Sequence, residues 1–306
     1  MNEHQLYDAI IIGGSFAGLS AALALGRARR AVLIIDSGNP CNRQSPYAHN
    51  LLMHDGEPPT VLLARSKEQV LCYPTVQFLE GRAVSGKKEA DVFEIMTDTK
   101  AIFRAKKLLF ATGVTDIMPG LEGFADCWGI SILHCPYCHG YEVAGQETAL
   151  LGNGAMAFEF CRLLLNWHKR ITLLTNGKCT LTEEELLQLG RFDVRIIEQE
   201  LSGFRHREGR LQALVFRDGT DIPMEALYTK VAFKQHSAIP EQMNCTLTEA
   251  HGFIQVDELQ RTNIPGIFAA GDNTTFFRAI SGAIAAGGKA GACINSELAE
   301  EAFKAQ

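Results

Sequence analysis

Apolar residues in this chain fall in short unbroken runs, separated by stretches with helical spacing. Residues 7–12 (YDAIII) form one such run, apolar apart from Asp8 and followed by two glycines, and read as a buried parallel strand. The next stretch, GGSFAGLSAALALGRA, predicts a tight turn opening a helix of small residues, and residues 31–36 (AVLIID) predict a second strand ending in an acid. This is a βαβ unit. Residues 41–59 are rich in Asn, Pro and His and read as a loop; a helix is expected over 60–72 and strands near 75–84, 91–97 and 106–111. Residues 114–127, with a proline and two glycines, read as a linker. A second opening of the same kind follows: strand 148–151, the segment GNGAMAFEFCRLLLNW, and strand 171–175. Further strands are expected near 193–197, 211–217 and 229–233, and a long glycine-dotted helix over 279–300. Two nucleotide-fold openings, near residues 13 and 152, predict an α/β chain with two Rossmann-like, three-layer domains.

Composition narrows the function. A chain of 306 residues, 46% of them hydrophobic, suits two domains better than one. The net charge of −6 and the lack of a basic run argue against nucleic acid or an anionic membrane as partner. No apolar stretch approaches a membrane span, and the opening MNEHQLYDAIII has neither a basic leader nor a cleavage site, so a cytoplasmic protein is expected. Of nine cysteines, only Cys135 and Cys138 are closely spaced. A disulfide scaffold would pair them at regular intervals, and a zinc site would need a second close pair or histidines at ligand spacing, so no metal is expected. One CxxC in a reducing compartment points to redox chemistry.

The first fingerprint is Gly13-Gly14-Ser15-Phe16-Ala17-Gly18, with serine at the middle position of G-x-G-x-x-G. Gly13 can make the tight turn, Gly18 can let helix and strand approach, and Ser15 is small enough to admit a pyrophosphate at the helix N-terminus. Asp36 stands where an acid can bind the adenosine ribose. Ala111-Thr112-Gly113 and Ala270-Gly271-Asp272 each follow an apolar strand, and a carboxylate at a strand end can hold ribityl hydroxyls. A helix start just beyond, at Ala279 and Ile280, can face the electron-rich side of a reduced flavin. Taken singly, each is an ordinary strand-end turn. The pair lies in His134-Cys135-Pro136-Tyr137-Cys138-His139-Gly140-Tyr141-Glu142. Two cysteines so spaced can close a disulfide across one helical turn, and at a helix N-terminus the first thiolate is stabilised, its pKa falling from about 8.5 toward ~3.5–7.5.

Together, the first fingerprint, the ATG, the AAGD and the inserted CxxC resemble the low-molecular-weight thioredoxin reductases over nearly the whole chain. The resemblance implies an FAD domain built from 1–116 and 246–306, with a pyridine-nucleotide-type domain, 117–245, inserted and carrying the CxxC. It implies FAD contacts from the loop after Asp36, at Asn42, Arg43 and His49, besides the glycine turn, Thr112, Gly113, Gly271 and Asp272. It also gives Cys138 the exchange with flavin, Cys135 the exchange with substrate, and the chain a homodimeric state. Cys41 and His54 lie in the same flavin-side loop, and His236 near the second interdomain crossing.

The departures from that family carry information. Its members usually place Asp after the second cysteine; here it is His139, which at neutral pH takes a thiol proton better than it supplies one. CPYCHGYE, GGSFAGLS and CNRQSPYAHNLLMHDG resemble the dithiol oxidases that close disulfides in natural products of the gliotoxin and holomycin kind. The second fingerprint, Gly152-Asn153-Gly154-Ala155-Met156-Ala157, has the GxGxxA form, so Gly152, Gly154, Ala155 and Met156 are candidate NAD(P)H contacts. Reductases that use NADPH carry an arginine cluster after the next strand; this chain has Thr175-Asn176-Gly177-Lys178. Three functions stay open: an FAD-dependent thiol oxidoreductase with weak or no NADPH use, an NADPH-dependent thioredoxin reductase, and a flavin-binding sensor without turnover. The expected partner is a small-molecule dithiol or a thioredoxin-like protein.

Overall fold

The computed structural model describes residues 5–305. The chain separates into two compact units, the second inserted into the first. One comprises the residues up to Arg43, Thr60–Thr115 and the chain from Phe233 onward; the other comprises Gln44–Pro59 and Asp116–Ala232. The return crossing lies at 232/233, earlier than the 245/246 join read from the sequence, and the strand Phe233–Gln235 pairs with Val114–Asp116. The loop after Asp36 is divided. Its later part, from Gln44, clusters with the inserted unit, where Gln44 Nε2 donates to the Ala125 carbonyl at 3.2 Å.

The first unit is built on a seven-stranded sheet. The strand Leu6–Ile12 lies between Val32–Asp36 and Ile102–Phe110, parallel to both, with Ile11 opposite Ile34 on one side and Leu109 on the other. Both faces are covered, so Ala9, Ile10 and Ile11 are fully buried, which is why residues 9–12 read as an unbroken apolar run. Ile267–Ala269 joins as another parallel strand against Ile102–Phe110. The run expected as one strand over 75–84 is two, Val76–Glu80 and Ala83–Glu89, because the chain turns at Gly81, whose N–H donates to the Asp36 carbonyl. The helix Phe16–Arg27 packs on the long helix Ile280–Lys304. A Cβ on Gly287 would stand 2.0 Å from the Ala17 carbonyl oxygen, and one on Gly291 2.6 Å from that of Ala21. The small-residue composition of both helices is thus what their close packing requires. Around this seam Leu25, Ile294 and Leu298 are buried, each contributing about 1.5–3 kcal/mol.

The inserted unit has a five-stranded parallel sheet in the order Arg195–Ile197, Ile171–Leu174, Thr148–Leu151, Ala226–Thr229, Ile132–Leu133. The helix Gly154–Leu164 follows its central strand and buries Phe158, Phe160, Cys161 and Leu164. A three-stranded antiparallel sheet, Leu201–Arg207, Arg210–Phe216 and Asp221–Pro223, completes it. The linker expected over 114–127 holds a short strand and the one-turn helix Phe124–Cys127. Among the described residues no helix is long and apolar enough to cross a membrane.

Candidate functional site: two glycine turns and a redox disulfide

In the first unit the turn after Leu6–Ile12 admits only glycine at two positions. Gly13 has φ +106°, and a Cβ there would lie 2.2 Å from the Ala111 carbonyl oxygen. A Cβ on Gly18 would lie 1.9 Å from the Gly13 carbonyl oxygen, so helix and strand touch backbone to backbone. Ser15 is the N-cap of Phe16–Arg27, and the first turn of that helix carries no acid to oppose an incoming anion. Asp36 ties this turn to the end of the second strand: its Oδ1 accepts from the Gly14 N–H at 2.8 Å and its Oδ2 from the Gly38 N–H at 3.1 Å. Asn42 and Arg43 follow in the turn at 41–44. Across the strand ends, Asn273 is fully buried; its Nδ2 donates to the Phe110 carbonyl at 2.9 Å and to Thr112 Oγ1 at 3.3 Å. Gly113 and Gly271 have positive φ, +62° and +95°. Asp272 accepts from Cys41 Sγ at 3.6 Å and faces Arg278 Nε at 3.5 Å. Ala279 is the N-cap, and Ile280 the first residue, of the long helix.

In the inserted unit Cys135 and Cys138 form a disulfide, with Cα atoms 5.3 Å apart. Cys135 is the N-cap of the one-turn helix Pro136–His139, with proline preset at the first helical position. Gly140 closes the turn by donating to the Pro136 carbonyl at 2.7 Å. His139 is half-buried, and burial, followed by the neighbouring charge of His49, lowers its pKa to about 4. It is therefore a neutral imidazole at pH 7, with a lower pKa than the ordinary value the sequence suggested. His49 belongs to the same unit, with Nδ1 3.4 Å from Glu142 Oε1 and 3.6 Å from Asp55 Oδ2. His134 stacks on Trp128, whose Nε1 donates to Asp116 at 3.2 Å. Cys72, Cys127, Cys161, Cys179, Cys245 and Cys293 are thiols outside this disulfide. Burial pushes Cys161 up to about 12 and also raises Cys127 and Cys245, so these are inert packing groups.

The second glycine turn keeps its form, with Gly154 at φ +66°, but is occupied by its own chain. Asn153 Oδ1 accepts from the Gly154 N–H at 2.9 Å, the Thr180 N–H at 2.9 Å and Thr180 Oγ1 at 3.0 Å. Its Nδ2 donates to the Lys178 carbonyl at 2.9 Å. Ala155 and Met156 are exposed beside it. The loop where arginines would grip a 2′-phosphate is instead anchored by Glu198, whose Oε1 accepts from the Cys179 N–H at 2.7 Å. Neither the Asn153 hub nor the His49–Glu142 pair was identified from the sequence. An asparagine directly before the helix is a capping signal that could have revealed the first; the second joins residues distant in the chain.

The pyridine nucleotide-disulphide oxidoreductase family matches residues 7–290. Thioredoxin reductase tcpT of Claviceps purpurea is 32% identical over 312 residues, covering 97% of this chain and 96% of that protein. Thioredoxin reductase aclD of Aspergillus oryzae is also 32% identical, covering 96% and 97%. Among solved structures, HlmI superposes with a TM-score of 0.92 at 27% identity, covering 100% of this chain and 96% of that one.

Proposed function

The chain belongs to the pyridine nucleotide-disulphide oxidoreductase family as a thioredoxin reductase-like FAD disulfide oxidoreductase, and we propose that it oxidises dithiols with little or no use of NADPH. The family implies FAD and thiol substrates. The first glycine turn fits that cofactor: the helix N-terminus is open to a pyrophosphate, and Asp36, whose oxygens accept from the Gly14 and Gly38 N–H groups, keeps further lone pairs for ribose hydroxyls. Ser15, Phe16 and Ala17 line its helix start, Thr112, Gly113, Gly271 and Asp272 would hold the ribityl side, and Ala279 and Ile280 the flavin end. When bound, FAD supplies a two-electron carrier.

The chain's own chemistry is thiol–disulfide exchange. A substrate thiolate attacks Cys135 Sγ, the Cys135–Cys138 bond breaks, and Cys138 Sγ leaves as a thiolate. The second substrate thiol loses its proton and attacks the mixed disulfide. Cys135 is released, the substrate carries a disulfide, and the pair holds two electrons. His139 is neutral at pH 7 and free to accept, but its lowered pKa makes it a weak base until a thiolate on Cys138, its neighbour in the chain, raises its affinity for a proton.

The observation that carries the low use of NADPH is Asn153. Its side chain takes the Gly154 N–H, one of the donors at this helix start, and the 175–178 segment offers Lys178 in place of an arginine fork. The intact GxGxxA backbone favours a second reading, an NADPH-dependent thioredoxin reductase. Anaerobic titration of the flavin with NADPH, NADH and a dithiol in parallel separates the two: bleaching by the dithiol but not by micromolar NADPH is expected, and rapid bleaching by NADPH overturns the proposal. The thiols outside the redox pair support a reducing, cytoplasmic setting. A homodimer, as the family resemblance implies, is tested by light scattering.

A further inference from the structure

A cavity of about 690 Å³ lies in the inserted unit, against the redox turn. One wall is Tyr137, the second of the two residues between the cysteines; its ring meets that of Trp167 edge-on at 5.4 Å. Trp167 is seated on the redox turn itself, since a Cβ on Gly140 would come within 2.9 Å of its Cδ1. The opposite wall is one face of the helix Gly154–Leu164, formed by Met156, Phe160 and Leu163. Lys230 stands at the rim, its Nζ 5.3 Å from the centre of the Phe160 ring. Tyr137 and Met156 are 59% and 61% exposed, so large apolar surface faces solvent beside the disulfide.

We propose that this cavity binds the body of the dithiol substrate, and that the class it selects is a small aromatic dithiol bearing an anionic or carbonyl oxygen. The proposal rests on the dithiol reading above and adds to it where the substrate sits and what it looks like. The volume falls within the roughly 300–1,000 Å³ of small-molecule sites. Aromatic edges and a thioether favour a flat ring over an aliphatic chain. Glu159 is engaged by Arg162, which leaves Lys230 as the cation that faces an oxygen of the ligand. A thioredoxin-like protein needs a face of about 20–30 residues, and nine residues line this cavity.

The test uses oxidised holoenzyme with three probes: dithiothreitol, 1,2-benzenedimethanethiol and the ring carboxylate of the latter. The expected KM for benzenedimethanethiol is about tenfold below that for dithiothreitol, and lower again for the carboxylate. Leu163→Glu should bring the ratio of the first two KM values toward one, and Lys230→Glu should remove the advantage of the carboxylate. Calorimetry with the S-methylated carboxylate, which cannot react, should show binding to the wild type and a tenfold or greater loss in both variants. If every dithiol reacts with similar KM and the capped analogue does not bind, the cavity proposal falls while dithiol oxidation stands. If no dithiol reacts, dithiol oxidation falls, and calorimetry alone decides whether the cavity binds such a body. If Leu163→Glu slows a reduced thioredoxin-like protein and leaves the small-dithiol ratio at its wild-type value, the cavity is part of a protein-docking face and the proposal is overturned.

Discussion

Replacing His139 with glutamine tests the electrostatics of the redox turn without removing either cysteine. In the unfolded chain a histidine titrates near 6.5; in the folded protein His139 titrates at about 4, because burial and then the His49 charge disfavour the imidazolium. Between those two values the unfolded chain takes up a proton that the folded protein refuses, so stability is lost as pH falls from about 6.5 to 4. The gap of about 2.5 units corresponds to about 3 kcal/mol, fully present as a penalty below pH 4 and absent above pH 7. His168 and His236 are lowered by burial as well and act in the same direction, so the wild type alone cannot isolate this group. The difference between His139→Gln and wild type can. Urea unfolding at pH 7.5, 6, 5 and 4.5 should show the variant losing less stability on acidification, by about 2 kcal/mol at pH 4.5. In parallel, ring carbon signals of labelled histidine should include one that stays neutral to pH 5 and vanishes in the variant. A wild-type His139 that titrates at 6 or above, or parallel stability curves for the two proteins, would refute the reasoning.

With Cys138→Ser, a probe disulfide should leave a stable mixed disulfide on Cys135 by exchange, releasing one probe thiol and detectable by intact mass; Cys135→Ser should form much less, and the reverse pattern would invert the roles assigned to the pair. Gly13→Ala places a Cβ 2.2 Å from the Ala111 carbonyl oxygen at a φ of +106°, so the protein should purify with little or no FAD, read from its visible spectrum against the wild type. Lys107→Ala removes a buried ammonium held by Glu297 at 2.9 Å and by Glu301, and should cost roughly 2–3 kcal/mol in urea unfolding; an unchanged midpoint would mean the pair is solvated.

The parts of this protein that can be read in its sequence are those where backbone geometry leaves one choice of residue. Gly13 and Gly18 are legible because any side chain there would collide with backbone, and the run Ala9–Ile12 because a strand covered on both faces needs apolar side chains throughout. Cys135 and Cys138 are legible because a disulfide across one helical turn demands that spacing. What the chain hides is set by contacts across distance. The return crossing at 232/233 is hidden because the pairing of Phe233–Gln235 with Val114–Asp116 leaves no mark in local hydrophobicity. The His49–Glu142 pair joins a loop that follows Asp36 to a residue just past the redox turn, and only the tertiary fold brings them together. The fall in the His139 pKa follows from the same closure, since burial and the His49 charge are both tertiary effects.

Asn153 is the most instructive residue. By pattern it is a permitted x in GxGxxA, so the fingerprint stays intact to a reader of motifs. By physics it is a capping residue, and its carboxamide oxygen takes up the Gly154 and Thr180 N–H groups while its amide pins the Lys178 carbonyl. If the proposed reading holds, a pyrophosphate at this turn competes with those contacts. A hydrogen bond contributes about 0.5–1.5 kcal/mol net, so two or three of them amount to roughly one to three orders of magnitude in affinity before the missing arginines are considered. On the reading proposed above, a residue at a free position of a fingerprint preserves the fold that the motif signals while it competes with the ligand that the motif usually announces.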